Sequence, residues 1–90
     1  MPYIKKEQRP QYDALISDVV KQLIKETNTF DVGELNYVIS SIVWKLFDKN
    51  PRYKTANDLA GVISCVEFEF QRRKVAIYEN FKIQENGDIE

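Results

Sequence analysis

The sequence predicts an all-α protein: a three-helix domain over about 10–26, 32–49 and 56–80, with an N-terminal arm and a short C-terminal tail, assembled as a homo-oligomer. Three observations predict it. Apolar residues recur at helical spacing in three blocks. Capping residues and prolines punctuate those blocks. The two later blocks carry a second apolar face besides the core-facing stripe, which is more than one small core needs.

The arm runs from Met1 to Arg9, with an apolar Tyr3–Ile4 pair that suits docking onto the body. Pro10 fits the first turn of a helix, where its missing N–H costs nothing. Tyr12, Leu15, Ile16, Val19, Val20 and Leu23 form the apolar stripe of that helix. Thr27, Asn28 and Thr29 stop it, because their side chains bond locally to the backbone.

Asp31 caps the second helix and Glu34 stands three residues on, as a capping box requires. Phe30 and Leu35 occupy the positions of a hydrophobic staple. Leu35, Val38, Ile39, Ile42, Val43 and Leu46 make the core stripe. Across from it lie Tyr37 and Trp44, residues that combine large apolar area with a polar tip. They either cover arm residues such as Tyr3 and Ile4 or form an interface. Pro51 ends the helix, since the residue before a proline avoids the α conformation.

Thr55 and Asp58 approximate a capping box for the third helix. At about 100° per residue, Leu59, Val62, Ile63, Val66, Phe70 and Ile77 share one stripe. Gly61, Cys65, Phe68, Arg72, Val75 and Ala76 share the other side. That second face is sandwiched by the chain itself, covered by another copy, or open as a ligand groove. Arg72 and Arg73 are within reach of Glu69 at i+3 and i+4. They read either as a surface ion pair or as a guanidinium fork offered to phosphate or carboxylate. After Phe81, Asn86-Gly87 signals a turn in an acidic tail.

Composition narrows the function. Ninety residues make one domain, 1–90, with room for a modest core. The net charge of −1 argues against sequence-independent affinity for nucleic acid. Lys49 to Lys54 and Arg72 to Lys74 stand about 25 Å apart along an antiparallel helix pair, at 1.5 Å rise per residue, and make no single basic patch. One cysteine and no histidine exclude an internal disulfide, the usual zinc sites and histidine-based nucleophilic catalysis. Gly33, Gly61 and Gly87 are scattered and form no phosphate loop. No carboxylate pair sits in an apolar setting. The expectation is no enzyme, no cofactor, no metal, no membrane span and no signal peptide, in a cytoplasmic setting.

Four segments carry a resemblance: MPYIKKEQR at the start, GELNYVIS at 33–40, GVISCVEFEFQRR at 61–73 and YENFKIQENGDI at 78–89. Together they resemble a family of small proteins of unknown function that is common in bacteriophage genomes and present in bacterial and archaeal ones. The resemblance spans nearly the whole chain. Gln71 replaces the tyrosine that precedes the arginines in that pattern, and Ile77 replaces the proline before Tyr78. The first change removes an aromatic ring from any site built on it. The second lets the third helix run further than in the relatives.

The resemblance implies a phage context, in the host cell cytoplasm, and no known activity. By analogy it points to a small binding protein that blocks a host defence protein or sequesters a nucleotide-derived defence signal. The candidate ligand site is Arg72, Arg73, Tyr78, Asn36 and Tyr37, where arginine would hold phosphate and an aromatic ring would stack a base. The candidate interface residues are Trp44, Phe68, Cys65 and Tyr3. The alternative partner is a host protein bound through the Tyr37/Trp44 face.

Overall fold

A computed structural model describes residues 3–90; Met1 and Pro2, the start of the arm, lie outside the described residues. The chain is all-α, with three helical runs and no strand among the described residues. It divides into two units, Met1–Lys49 and Asn50–Glu90.

The first unit starts with a 3-10 turn at Lys6–Gln8. The backbone N–H of Lys5 donates to Gln8 Oε1 at 3.1 Å, and the Gln8 N–H returns a bond to the Lys5 carbonyl at 3.0 Å. Arg9 Nη2 donates to the Ile4 carbonyl at 3.4 Å. The arm is therefore locally folded from Ile4 onward. Helix α1, Pro10–Leu23, has its proline in the first turn as the sequence requires.

Helix α1 stops three residues short of the expected Glu26. Ile24 is already extended, although its N–H still bonds the Val20 carbonyl at 2.9 Å. A tight turn takes over. The Lys25 N–H donates to the Thr29 carbonyl at 2.7 Å, and Asn28 sits at φ 59°. Asparagine is among the few non-glycine residues that enter this left-handed region readily. The Thr27 and Thr29 hydroxyls share a 2.9 Å bond. The three polar residues thus break the helix by building their own turn.

Helix α2 is Val32–Lys49, matching the expected range. The Glu34 N–H donates to Asp31 Oδ1 at 3.0 Å, so the cap is real. The box is only half formed. The Glu34 side chain reaches Lys25 Nζ at 2.8 Å instead of turning back to the cap. Gly33 leaves room for this cap, because a Cβ there would stand 3.1 Å from Asp31 Oδ1.

In this first unit the most covered apolar residues are Val19 and Leu23 in α1, and Leu35, Val38, Val43 and Phe47 in α2. Phe47 joins the inward side of α2, whereas Ile39, Ile42 and Leu46 from the expected core stripe stay exposed. None of the described residues is fully buried.

The second unit is one continuous helical run. Helix α3 is Tyr53–Phe70, a π-helical segment comes next at Gln71–Val75, and helix α4 is Ala76–Asn86. The expected cap at Thr55 is corrected. Arg52 is the extended residue at the N-cap position, and its carbonyl accepts from the Ala56 N–H at 3.0 Å. Asp58 pairs with Lys54 Nζ at 2.8 Å rather than serving Thr55.

The expected end near residue 80 is also corrected. The run continues to Asn86 and stops where Gly87 turns to φ 89°, with its N–H on the Ile83 carbonyl at 2.7 Å. Only glycine takes that backbone without strain. The last four residues carry no regular structure, and Ile89 is fully exposed.

A π turn holds one residue more than an α turn, so it rotates the helix beyond it by about one residue, roughly 100°. The expected face assignment already fails before this segment, where Val62, Ile63, Val66 and Phe70 of the expected core stripe are exposed and Cys65 of the other side is half-buried, and the extra residue shifts the faces again beyond Phe70. Ile77 leaves the stripe of Leu59, Ile63 and Phe70, and Tyr78 takes its place. Val75, expected on the outer side, is half-buried instead.

Candidate functional site

The arginine doublet lies inside the π segment, and its surroundings come from the turn before it. Arg72 Nη2 donates to both carboxylate oxygens of Glu69, at 3.2 and 3.0 Å. Arg73 Nη1 stands 4.0 Å from Glu69 Oε2. One carboxylate thus serves two guanidinium groups. The Glu69 side chain is only 15% exposed, while those of Arg72 and Arg73 are 60% and 56% exposed. The anion is covered and the cations are not. Lys74 is the next residue, so the belt turns from acidic at Glu67 and Glu69 to basic at Arg72, Arg73 and Lys74 within two helical turns.

Tyr78 stands on α4, one turn beyond the doublet, and is largely exposed. Lys82 Nζ lies 5.7 Å from its ring centroid, a cation–π contact. Lys82 also reaches Glu85 Oε2 at 3.0 Å. Of the five expected ligand-site residues, Arg72, Arg73 and Tyr78 therefore belong to one helical run of the second unit.

Asn36 and Tyr37 belong to α2 in the first unit. Asn36 Oδ1 accepts from the Ser40 hydroxyl at 2.8 Å. Tyr37 is 74% exposed and borders two hollows of that unit. The larger hollow lies between α1 and α2, with Leu15, Val19, Leu23 and Val38 on its apolar side and Asp18 and Gln22 on its polar side. It is not among the sites expected from the sequence. Its only signal there is the polar edge of Asp18 and Gln22 beside the apolar stripe of α1. The smaller hollow is lined by Tyr37, Ser40, Ser41, Trp44, Lys45 and Asp48. It joins the Tyr37 and Trp44 rings named from the sequence.

The expected interface residues differ in exposure. Trp44 is 66% and Phe68 is 65% exposed, so both present most of their rings. Cys65 is half-buried with a free thiol. Tyr3 is about half exposed.

Electrostatics are mild. The hydrogen bond and charge of Glu34 raise the Lys25 ammonium above its ordinary value, and Asp58 does the same for Lys54. Among the described residues no three Cys, Asp or Glu side chains gather as metal ligands. No helix among the described residues is long and apolar enough to cross a membrane.

No curated protein and no solved structure matches the chain. Residues 1–89 match the family model described as "Domain of unknown function (DUF6899)", and the chain belongs to that family.

Proposed function

We propose that this chain is a non-enzymatic binding protein that works as a homo-oligomer and holds an anionic, nucleotide-type ligand at a boundary between subunits. The single observation that carries this reading is the arrangement on the second unit. Two exposed guanidinium groups, one bonded to a covered carboxylate and the other 4.0 Å from it, stand about one helical turn before Tyr78, which is largely exposed and has Lys82 Nζ 5.7 Å from its ring centroid. Anchored guanidinium groups lose little freedom on meeting a phosphate, and an aromatic face stacks a base. A single helical run offers no concave pocket by itself, so a second surface must complete the site. The apolar residues left exposed on that run, Val62, Val66, Phe68 and Phe70 among them, supply a reason for that surface to be present.

With the phage resemblance, the concrete form is a small phage protein in the host cytoplasm that sequesters a nucleotide-derived defence signal. Light scattering and calorimetry with cyclic and ADP-ribose-type nucleotides test it. The expected result is an oligomer that binds one of these ligands and loses it in Arg72→Ala. A strict monomer that binds none of them overturns it.

A second reading rests on the smaller hollow of the first unit. Tyr37 and Trp44 flank it with Ser40, Ser41, Lys45 and Asp48, an aromatic pair with a polar rim. That composition suits a hot spot for a host protein. Trp44→Ala would then abolish capture of the host partner in a pull-down and leave nucleotide binding intact.

A further inference from the structure

We infer that a second copy of this chain lies antiparallel along the helical run Tyr53–Asn86, with a two-fold axis at the level of Gln71, on the side of the helix away from it, that sets Glu69 of each copy against Arg73 of the other. The inference rests on the homo-oligomer reading above and deepens it by naming the contact and its register.

The residues Gly61, Cys65, Glu69, Arg73, Ile77 and Phe81 succeed one another at four-residue steps. Such a row is a packing ridge of a helix. Reversed about Gln71, it meets itself in complementary order. Glu69 faces Arg73, Cys65 faces Ile77, and Gly61 faces Phe81. Each pair joins unlike partners: acid to base, small thiol to branched apolar group, bare backbone to aromatic ring. Self-complementarity about one point is the mark of an isologous contact.

Charge fixes the direction. Glu67 and Glu69 precede the axis, and Arg72, Arg73 and Lys74 lie beyond it. An antiparallel copy brings the basic belt against the acidic one. A parallel copy in register sets acid on acid and base on base. Like charges in juxtaposition cost far more than rim contacts return.

Space fits as well. A Cβ at Gly61 would meet nothing within 4 Å, and the Phe81 ring is largely exposed. Glycine in a helix interior costs about 1 kcal/mol relative to alanine. The cost is offset when a bulky group from another chain fills the gap.

The π segment makes the ridge usable. A row of four-residue steps winds around an α-helix by about 40° per step. The wider turn at Gln71–Val75 takes back part of that drift. The two halves of the row therefore stay nearer to one side of the run.

The test uses full-length Glu69→Lys and Arg73→Glu variants, each checked for helicity by circular dichroism and then studied alone and mixed by sedimentation velocity and native mass spectrometry. The expected result is that each variant alone associates more weakly than wild type by at least about tenfold. Mixing them restores association as a heterodimer, and the double variant Glu69→Lys/Arg73→Glu pairs with itself. An oligomeric wild type whose two single variants associate as well as it does, or do not recover on mixing, overturns this contact and leaves the oligomer reading standing. A monomeric wild type overturns both. Orientation is read from Ile77→Cys under mild oxidation. A bridge between Cys65 and the introduced thiol of the other copy is expected. Bridges only between like positions, or none, overturn the antiparallel register.

Discussion

The Glu69 carboxylate accepts two bonds from Arg72 Nη2, at 3.2 and 3.0 Å, and lies 4.0 Å from Arg73 Nη1. Its side chain is the covered member of the group. Removing the acid therefore takes a partner from two cations, whereas removing Arg72 leaves the acid beside Arg73. Single ion pairs on a helix contribute about 0.3–0.5 kcal/mol. Arg72→Gln is expected to cost an amount in that range, and Glu69→Gln about twice as much. Urea unfolding midpoints check it. The difference should shrink in high salt, because exposed cations are screened. Equal losses in both variants would show that Glu69 does not anchor the doublet.

Asp31 holds the start of α2 through the Glu34 N–H at 3.0 Å. An N-cap of this kind is worth about 1 kcal/mol. Asp31→Ala is expected to lose that much, and Asp31→Asn to lose much less, since the amide oxygen also accepts. Glu34→Gln should leave the cap intact, because the Glu34 side chain is turned toward Lys25. Thermal melts of the three variants separate these cases. A Glu34→Gln loss as large as that of Asp31→Ala would mean that the reciprocal half of the capping box forms after all.

The Lys25–Glu34 pair joins the turn after α1 to the start of α2 at 2.8 Å. Its hydrogen bond and charge raise the Lys25 ammonium above the ordinary 10.5. A raised folded-state value means that folding favours the protonated amine. The contribution is complete below pH 10.5 and fades as the pH rises through the higher folded value. The stability gap between wild type and Lys25→Met should therefore stay flat from neutral pH to about 9.5 and close above 10.5. Denaturant titrations at matched pH check the window. A gap that closes between pH 7 and 9 would place the linkage on some other group.

The helices are legible in the sequence wherever punctuation and period agree. Pro10, Asp31 and Pro51 mark boundaries that the structure keeps, and α2 matches its expected range. Thr55 misleads because a serviceable capping residue also fits inside a first turn. Arg52, with no capping side chain, takes the N-cap position through its backbone alone. The end of the last run is hard to place because α4 has a weak apolar period, and the stop comes from Gly87 instead. The Glu69–Arg72 pair is readable from spacing. The π segment is not, since no residue type signals it and the rule of about 100° per residue assumes it away. That one irregularity moves Ile77 and Val75 off their expected faces. The hollow between α1 and α2 depends on how two helices sit together, which periodicity along one chain does not encode.

The π segment gives the most demanding prediction. It acts as one residue inserted into an α-helix, a feature that strains the hydrogen-bond ladder and re-aims the residues of α4. Deleting Gln71 should let the run close into continuous α-helix. Helicity by circular dichroism should hold or rise, since an irregular turn is removed. Tyr78 and Phe81 should keep their faces relative to Gly61 and Cys65, because the residue removed is the one that the wide turn had absorbed. If the facing of α4 is what a second copy reads, association measured by sedimentation should hold in this deletion, and an alanine added after Ala76 in the same variant, which turns Tyr78 and Phe81 by about 100°, should weaken it by at least about tenfold. An added alanine that leaves assembly untouched would separate the facing of α4 from assembly and reduce the wide turn to a local irregularity around the arginines.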